Sequence, residues 1–300
     1  MASSEVPCPA CKWTPDQQRR CSYESNVRLF YGAGDRGYWA LGSKFIFKDR
    51  GIDPPSYEVM NTRFLAEKTT IPVPITVQEW TEGKRYFQIV ERVPGVPLDE
   101  IWSSIPQPDR ERLASQTAGY LNQLRNFHSP KMQSLHGQPL HCAHLFLGDD
   151  YGVPHGPLST AEELWDELAK ALENDKIPDA VRSRFRETMP SPLPWTFTHG
   201  DLTDCNIIVD PVTFELRSVI DWESSGYFPV WWEFAWASVG LSTEDKEWKD
   251  LLRGNMANQE EGRQWYLNYK SFTTNQPWAL ERRVRFLKEC GVEGDIDISK

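Results

Sequence analysis

A chain of 300 residues with 39% apolar content can bury one large core or two, and its 13 Trp and 22 Pro are spread without repeat, which excludes a low-complexity or disordered polymer. A formal charge of -10 argues against a nucleic-acid binder, which needs basic surface to displace counterions, and ranks a cationic or neutral small molecule above a polyanion. No run reaches the roughly 20 apolar residues that span a bilayer, and MASSEVPCPACKW has no apolar signal core, so no membrane association and a cytoplasmic location are expected.

In chain order, residues 1–25 read as a polar, Pro-bearing N-terminal arm. Its Cys8 and Cys11 form the one CxxC pair among six Cys, with no second pair to complete a zinc site, so reduced thiols are expected. From Asn26, NVRLFYG, YWALGS and KFIFK are short apolar runs between Gly-containing breaks and predict a small antiparallel sheet. PPSYEVMNTRFLAEKT places Val59, Met60, Phe64 and Leu65 on a helical face behind Pro54 and Pro55. IPVPITVQEW and RYFQIVERV, bounded by TEGK, read as two more strands. Beyond VPGVPLDEIW the spacing of Leu113, Ala114, Thr117, Ala118, Leu121 and Leu124 opens a mainly helical region. Residues 129–159, rich in His, Gly and Pro, read as a long surface excursion, followed by a helix in AEELWDELAKALEN and by helical stretches at 243–269 and 277–290.

The chemistry is concentrated in FTHGDLTDCNIIVD and in VIDWE, whose Asp221 follows Asn206 by fifteen residues. Phosphoryl transfer needs a carboxylate to orient the attacking hydroxyl and oxygen ligands for magnesium on the phosphates. Asp201, Asn206 and Asp221 match those needs, with IIVD and LRSVID forming a hairpin that presents Asp221 at its far end. The order parallels a protein kinase's base, metal Asn and metal Asp. A metal-hydrolase reading of His199 and Asp201 lacks a second His at ligand spacing. Gly32, Gly34 and Gly37 form a GxGxxG string before a strand rather than a helix, which disfavours a dinucleotide fold and leaves a phosphate-covering flap or a plain hairpin.

HGDLTDCN and IDWESSGYFPVWWEFAW resemble the aminoglycoside phosphotransferase and choline-kinase family, particularly its fungal members, over about residues 26 to 290. The resemblance implies an α+β, bilobal protein-kinase-like fold: a small antiparallel-sheet N-lobe at 26–93 and a larger, mainly helical C-lobe at 94–300. It implies ATP and Mg2+ as cofactors, Asp201 as catalytic base, Asn206 and Asp221 as metal ligands, and His199 as a brace for the loop. Lys48, at the end of KFIFK, takes the phosphate-pairing role, with Glu58 as its partner and Glu67 as the alternative. IVERVPG resembles the inter-lobe linker, so the backbone of Glu91 to Val93 meets adenine, with Gly95 and Pro97 shaping the crossing. Acceptor contacts fall to Glu223, Trp231, Trp232 and Glu233, where carboxylates beside aromatic faces suit a cationic amino alcohol or an aminoglycoside-like compound. His128, His136, His141, His144 and His155 show no ligand spacing and read as surface or structural. The expected activity is phosphorylation of a small-molecule hydroxyl. The alternatives are a catalytically silent nucleotide- or metabolite-binding protein, or a biosynthetic enzyme using the scaffold for other chemistry. A protein kinase is disfavoured by the lack of an APE-like segment after IDW.

Overall fold

The computed structural model describes residues 26–148, 150, 152–173, 176–294 and 296. The expected arm at 1–25, with Cys8 and Cys11, lies outside the described residues. The chain divides into two compact units, one containing 26–51 and 76–92, the other containing 52–75 and the chain from Val93 onward.

The first unit is one antiparallel sheet. Strands β1 (Val27–Ala33), β2 (Arg36–Leu41), β3 (Phe45–Gly51), β4 (Thr76–Glu82) and β5 (Arg85–Glu91) are ordered β1-β2-β3-β5-β4. Gly32 pairs with Gly37 across the β1–β2 hairpin, and Gly34 takes the turn at φ 57°, a left-handed conformation that a side chain resists. The GxGxxG string is therefore a hairpin running into a strand. β4 starts at Thr76 rather than at Ile71, because Pro72 and Pro74 have no N–H to give a ladder. Phe47, Trp80 and Phe87 stack with ring centroids 5.2–6.0 Å apart. The Arg85 guanidinium donates to Asp49 at 2.7 Å across the β3–β5 pair.

The second unit begins with helix α1 (Glu58–Lys68). The sequence reading grouped this helix with the sheet, but its segment clusters with the later chain. The physical tie is Asn61, fully buried, whose Nδ2 donates to the carbonyls of Trp222 at 2.8 Å and Ser225 at 3.2 Å. The Val219 N–H also donates to Pro72 O at 2.9 Å. After β6 (Val96–Pro97) come α2 (Leu98–Ile101), α3 (Gln107–Leu124), β7 (His128–Ser129), α4 (Ala161–Ala169), α5 (Asp179–Thr188), β8 (Trp195–Thr198), β9 (Ile207–Val209), β10 (Leu216–Val219) and β11 (Gly226–Phe228). Helices α6 (Trp232–Trp236), α7 (Thr243–Gly254), α8 (Glu260–Ser271) and α9 (Pro277–Glu289) close the unit. Two small antiparallel sheets, β10-β9-β6 and β11-β8-β7, carry the turns between the helices.

Local chemistry sets the helix starts. Thr160 caps α4 in a capping box with Glu163, and the Ser242 hydroxyl accepts from the Asp245 N–H at the start of α7. The stretch expected to be helical over 243–269 is two helices, interrupted between Gly254 and Glu260.

The described residues of 129–159 are not a surface excursion. Met132, Leu140, Cys142, Leu145, Phe146, Leu147 and Leu158 are buried in the larger hydrophobic cluster beside Trp231, Trp232 and Trp236. The segment lacks periodicity because it is tied by single β-bridges, Met132 to Leu158, Gln133 to Tyr227 and Leu140 to His155, rather than by helix or ladder. A Cβ at Gly226 would sit 2.9 Å from the backbone Gln133 O, so the close approach of this segment requires glycine. Among the described residues no helix is long and apolar enough to cross a membrane.

Candidate functional site

β8 is buried at every position, and its chain leaves the sheet at Thr198 directly into His199, Gly200 and Asp201. The bend depends on Gly200, whose φ is 87° and where a Cβ would lie 2.8 Å from Ser224 O. A 3-10 turn (Asp204–Asn206) then leads into β9, and the β9–β10 hairpin delivers Asp221. Asp221 has φ 63° and ψ 56°, a left-handed conformation that a non-glycine residue adopts at a cost and that is common where function holds it.

His199 joins these pieces. Its ring Nε2 lies 2.9 Å from Ile220 O and its Nδ1 lies 3.2 Å from the Asp201 N. A carbonyl can only accept and a backbone N–H can only donate, so the proton is on Nε2 and Nδ1 offers its lone pair. The ring is neutral, in keeping with complete burial, which drives its pKa down to about 4. The Ser225 hydroxyl donates to His199 O at 2.9 Å, and the Trp222 ring lies 4.5 Å from the imidazole. One buried residue thus fixes the Asp201 turn against the Asp221 turn.

The Asp201 carboxylate has its Oδ1 buried, and burial raises its pKa against the lowering pull of His199, Lys249 and the Trp236 indole. The Asn206 Nδ2 donates to Asp201 O at 2.8 Å, and the Ile220 N–H donates to Asn206 O at 2.9 Å. The amide is thereby oriented with Nδ2 committed to the backbone, so Oδ1 is its remaining ligand atom. Asn206 Oδ1 and the Asp221 carboxylate are oxygen donors, the ligand type a hard divalent cation takes. These three residues are thus brought together through one backbone network.

Two further braces hold the turn. Glu233 Oε2 accepts from the backbone N–H of His199 at 2.8 Å and of Gly200 at 3.4 Å, and burial pushes its pKa up to about 7. The Asp204 N–H donates to Asp245 Oδ1 at 3.1 Å, while Asp245 Oδ2 pairs with Lys249 Nζ at 2.9 Å, both side chains 1% exposed. Burial, reinforced by Asp245, raises the Asp204 carboxyl to about 6.

The sequence reading of acceptor contacts needs correcting on three of its four residues. Trp231 packs on Gly262, where an added Cβ would meet its side chain at 2.4 Å, and Trp232 lies among Phe228, Trp236 and Tyr266. Both indoles are buried in the core, and Glu233 is committed to the 199–200 backbone. Glu223 remains, half-buried in the 3-10 turn after Asp221. Conversely, His144, read as surface or structural, stands with Nε2 3.8 Å from Asp201 Oδ1 and its ring stacked on Trp236 at 4.1 Å. No sequence spacing links residue 144 to 201, so this neighbour was invisible to motif reading, as were Asn61, Asp245 and Lys249. His155 is structural, stacked on Phe146 with Nδ1 3.0 Å from Glu167.

On the first unit, Lys48 lies on β3 opposite Tyr38 and Gln88, with Nζ 5.2 Å from the Tyr38 ring centroid, and Glu91 ends β5 opposite Phe45. On the second unit, Glu58 is buried in the first turn of α1, and Val93 leads to Gly95. Gly95 has φ 144°, and a Cβ there would lie 2.5 Å from Val209 O, so the chain passes β9 too closely for any side chain.

The profile of the phosphotransferase enzyme family matches residues 32–267. No curated protein matches the chain. Among solved structures, the streptomycin-ATP-APH(2")-IIa ternary complex is similar at a TM-score of 0.55 and 16% identity, covering 88% of this chain and 90% of that one. The gentamicin-APH(2")-IIa complex is similar at 0.53 and 15%, covering 88% and 89%. An aminoglycoside-3'-phosphotransferase of type VIII follows at 0.49 and 19%, covering 83% and 94%.

Proposed function

The chain belongs to the phosphotransferase enzyme family, and we propose that it transfers the terminal phosphoryl group of magnesium-ATP to a hydroxyl of a small-molecule acceptor. The observation that carries this reading is the half-buried Asp201 carboxylate in the turn after β8, beside an Asn and an Asp that share its backbone network. The protein-kinase-like fold, shared with a protein solved with ATP, supports the nucleotide.

In this reading Asp201 Oδ1 takes the hydrogen bond of the acceptor hydroxyl and aims its oxygen along the line of attack. The new bond joins acceptor oxygen to the terminal phosphorus, the bond to the β-phosphate oxygen breaks, and the hydroxyl proton passes to Asp201. Burial makes that carboxylate a better proton acceptor than a solvated Asp. Asn206 and Asp221 would hold Mg2+, which when bound neutralises charge on the phosphates. Lys48 would pair phosphate oxygens, with Glu58 as its orienting partner, and the backbone of Glu91 to Val93 would receive adenine. His199 and Glu233 do no proton transfer; they hold Asp201 in register.

The test is magnesium-dependent nucleotide consumption by the purified protein against a panel of alcohols, reading the acceptor mass for an added phosphate. Transfer lost in Asp201→Asn supports the reading. ATP bound with no phosphate transferred to any acceptor would favour a silent binding protein, and turnover of a substrate without ATP would favour other chemistry on the same scaffold.

A further inference from the structure

Four side chains, His144, Trp236, Tyr266 and Lys270, are linked to one another beside Asp201. His144 lies over Trp236 and reaches to 3.8 Å from Asp201 Oδ1, with 43% of its side chain exposed. The loop carrying it is fastened to α8, where the Tyr266 hydroxyl donates to His144 O at 2.6 Å. One turn further along the same face of that helix stands Lys270, with Nζ 5.9 Å from the Trp236 ring centroid.

Two lysines approach this indole, and they differ in what they do. Lys249 is buried and committed, pairing with Asp245 and donating to Val239 O at 2.8 Å. Lys270 is half-buried and, among the described residues, has no carboxylate in ion-pair reach and no hydrogen-bond acceptor for its ammonium. Burial lowers its pKa with no acidic neighbour to offset it, and its charge is felt at His144, whose pKa falls to about 4, chiefly through burial and then through Lys270 and Lys249. A partly desolvated ammonium without a counter-charge is costly unless a ligand supplies one. With His144 neutral, Lys270 carries the one formal charge among these four side chains.

We propose that Lys270, with His144 seated on Trp236, binds a negatively charged group, a carboxylate or a phosphate, carried by the acceptor alcohol. The inference rests on the phosphotransferase reading above and specifies its substrate class. It replaces the cationic acceptor suggested by sequence, three of whose four aromatic and acidic contacts, Trp231, Trp232 and Glu233, are taken up inside the core. Lys270 is a specificity residue: it anchors the far end of the acceptor while Asp201 holds the reacting hydroxyl.

The experiment compares magnesium-ATP-dependent phosphorylation of matched small alcohols: hydroxy acids, phosphorylated polyols, neutral polyols and amino alcohols. The wild-type protein is set beside Lys270→Met and Lys270→Arg. Acidic alcohols are expected to have the highest kcat/KM. Lys270→Met is expected to raise their KM by about ten- to a hundred-fold, the loss of one charge-assisted contact, with a smaller change in kcat and partial recovery in Lys270→Arg. The hydroxy-acid and phosphorylated arms separate a carboxylate subsite from a phosphate one. The proposal is overturned if neutral or cationic alcohols are preferred, if no acidic alcohol outperforms the neutral ones, or if Lys270→Met leaves the preference unchanged. Failure of the wild-type protein to bind or consume ATP would instead overturn the phosphotransferase reading, a distinct result.

Discussion

Each of the two compact units has its own kind of internal order. In the sheet of residues 26–51 and 76–92, β1 is exposed along its whole length, β2 is half-buried, and among the described residues Arg50, Gln88 and Val90 alone are buried. Ladder hydrogen bonds and the Phe47, Trp80 and Phe87 stack supply its order. In the second unit Trp102, Trp195, Trp222, Trp231, Trp232, Trp236 and Trp248 are each less than 2% exposed or at that limit. Dense packing there fixes the turns of Asp201 and Asp221, whereas the sheet carries Lys48 on a thinly covered platform. Under the proposed reading, the densely packed unit would hold the proton-accepting carboxylate and the thinly covered sheet the phosphate-pairing lysine.

The comparison is broken most severely at its centre. Asp201→Asn is expected to lower phosphoryl transfer by about two to four orders of magnitude while leaving nucleotide affinity nearly intact, measured by steady-state kinetics beside ATP titration. An unchanged rate would remove Asp201 from the reaction. Next, Trp232→Ala should destabilise the protein by about 3–5 kcal/mol, whereas Phe47→Ala, at a half-buried sheet position, should cost about 1–2 kcal/mol. Denaturant melts of both variants test whether the units differ as their burial implies, and equal losses would dissolve the contrast.

Asn61→Ala removes two donations to the 222–225 turn and should cost about 1–3 kcal/mol. The loss should be accompanied by faster hydrogen exchange at Ser225 and Tyr227, and a loss without it would place the effect elsewhere. The smallest effect concerns Glu233. Its folded pKa of about 7 is above the ordinary carboxyl value near 4.5, so the folded state holds this proton more tightly than the unfolded one. Between about pH 4.5 and 7 that costs stability as pH rises. Glu233→Gln keeps an acceptor for the His199 N–H and removes the titration, so its melting temperature should gain on the wild type across that window. A constant difference from pH 4.5 to 7 would show that Glu233 does not titrate there.

What was legible in the sequence is what repeats locally. The strands of the first sheet follow from β-branched and aromatic runs broken by Gly34, Gly42 and Gly83, each at positive φ, and the β9–β10 hairpin before Asp221 follows from IIVD and LRSVID. The positions of Asp201, Asn206 and Asp221 in consecutive turns could be read from HGDLTDCN and IDW. What could not be read depends on contacts between distant residues. Asn61 draws α1 to the second unit through one amide, His144 reaches Asp201 through a segment with no periodicity, and Trp231 and Trp232 offered faces that Gly262 and Tyr266 already fill. A carboxylate next to indoles in the sequence has the same text whether the indoles face solvent or core. In Glu233 the sequence showed the charge but not its backbone partners.

The bridges that secure residues 129–158 bear on when the molecule becomes competent. His128 pairs with Thr196 and Gln133 with Tyr227, partners that emerge much later in the chain. Closing such loops is entropically unfavourable until the β8 and β11 strands exist to receive them. The wall that carries His144 is therefore expected to assemble after the hairpin bearing Asp221. During refolding the Asp201, Asn206 and Asp221 turns should form before the wall that carries His144, so under the proposed reading acceptor selectivity would be the last property to mature.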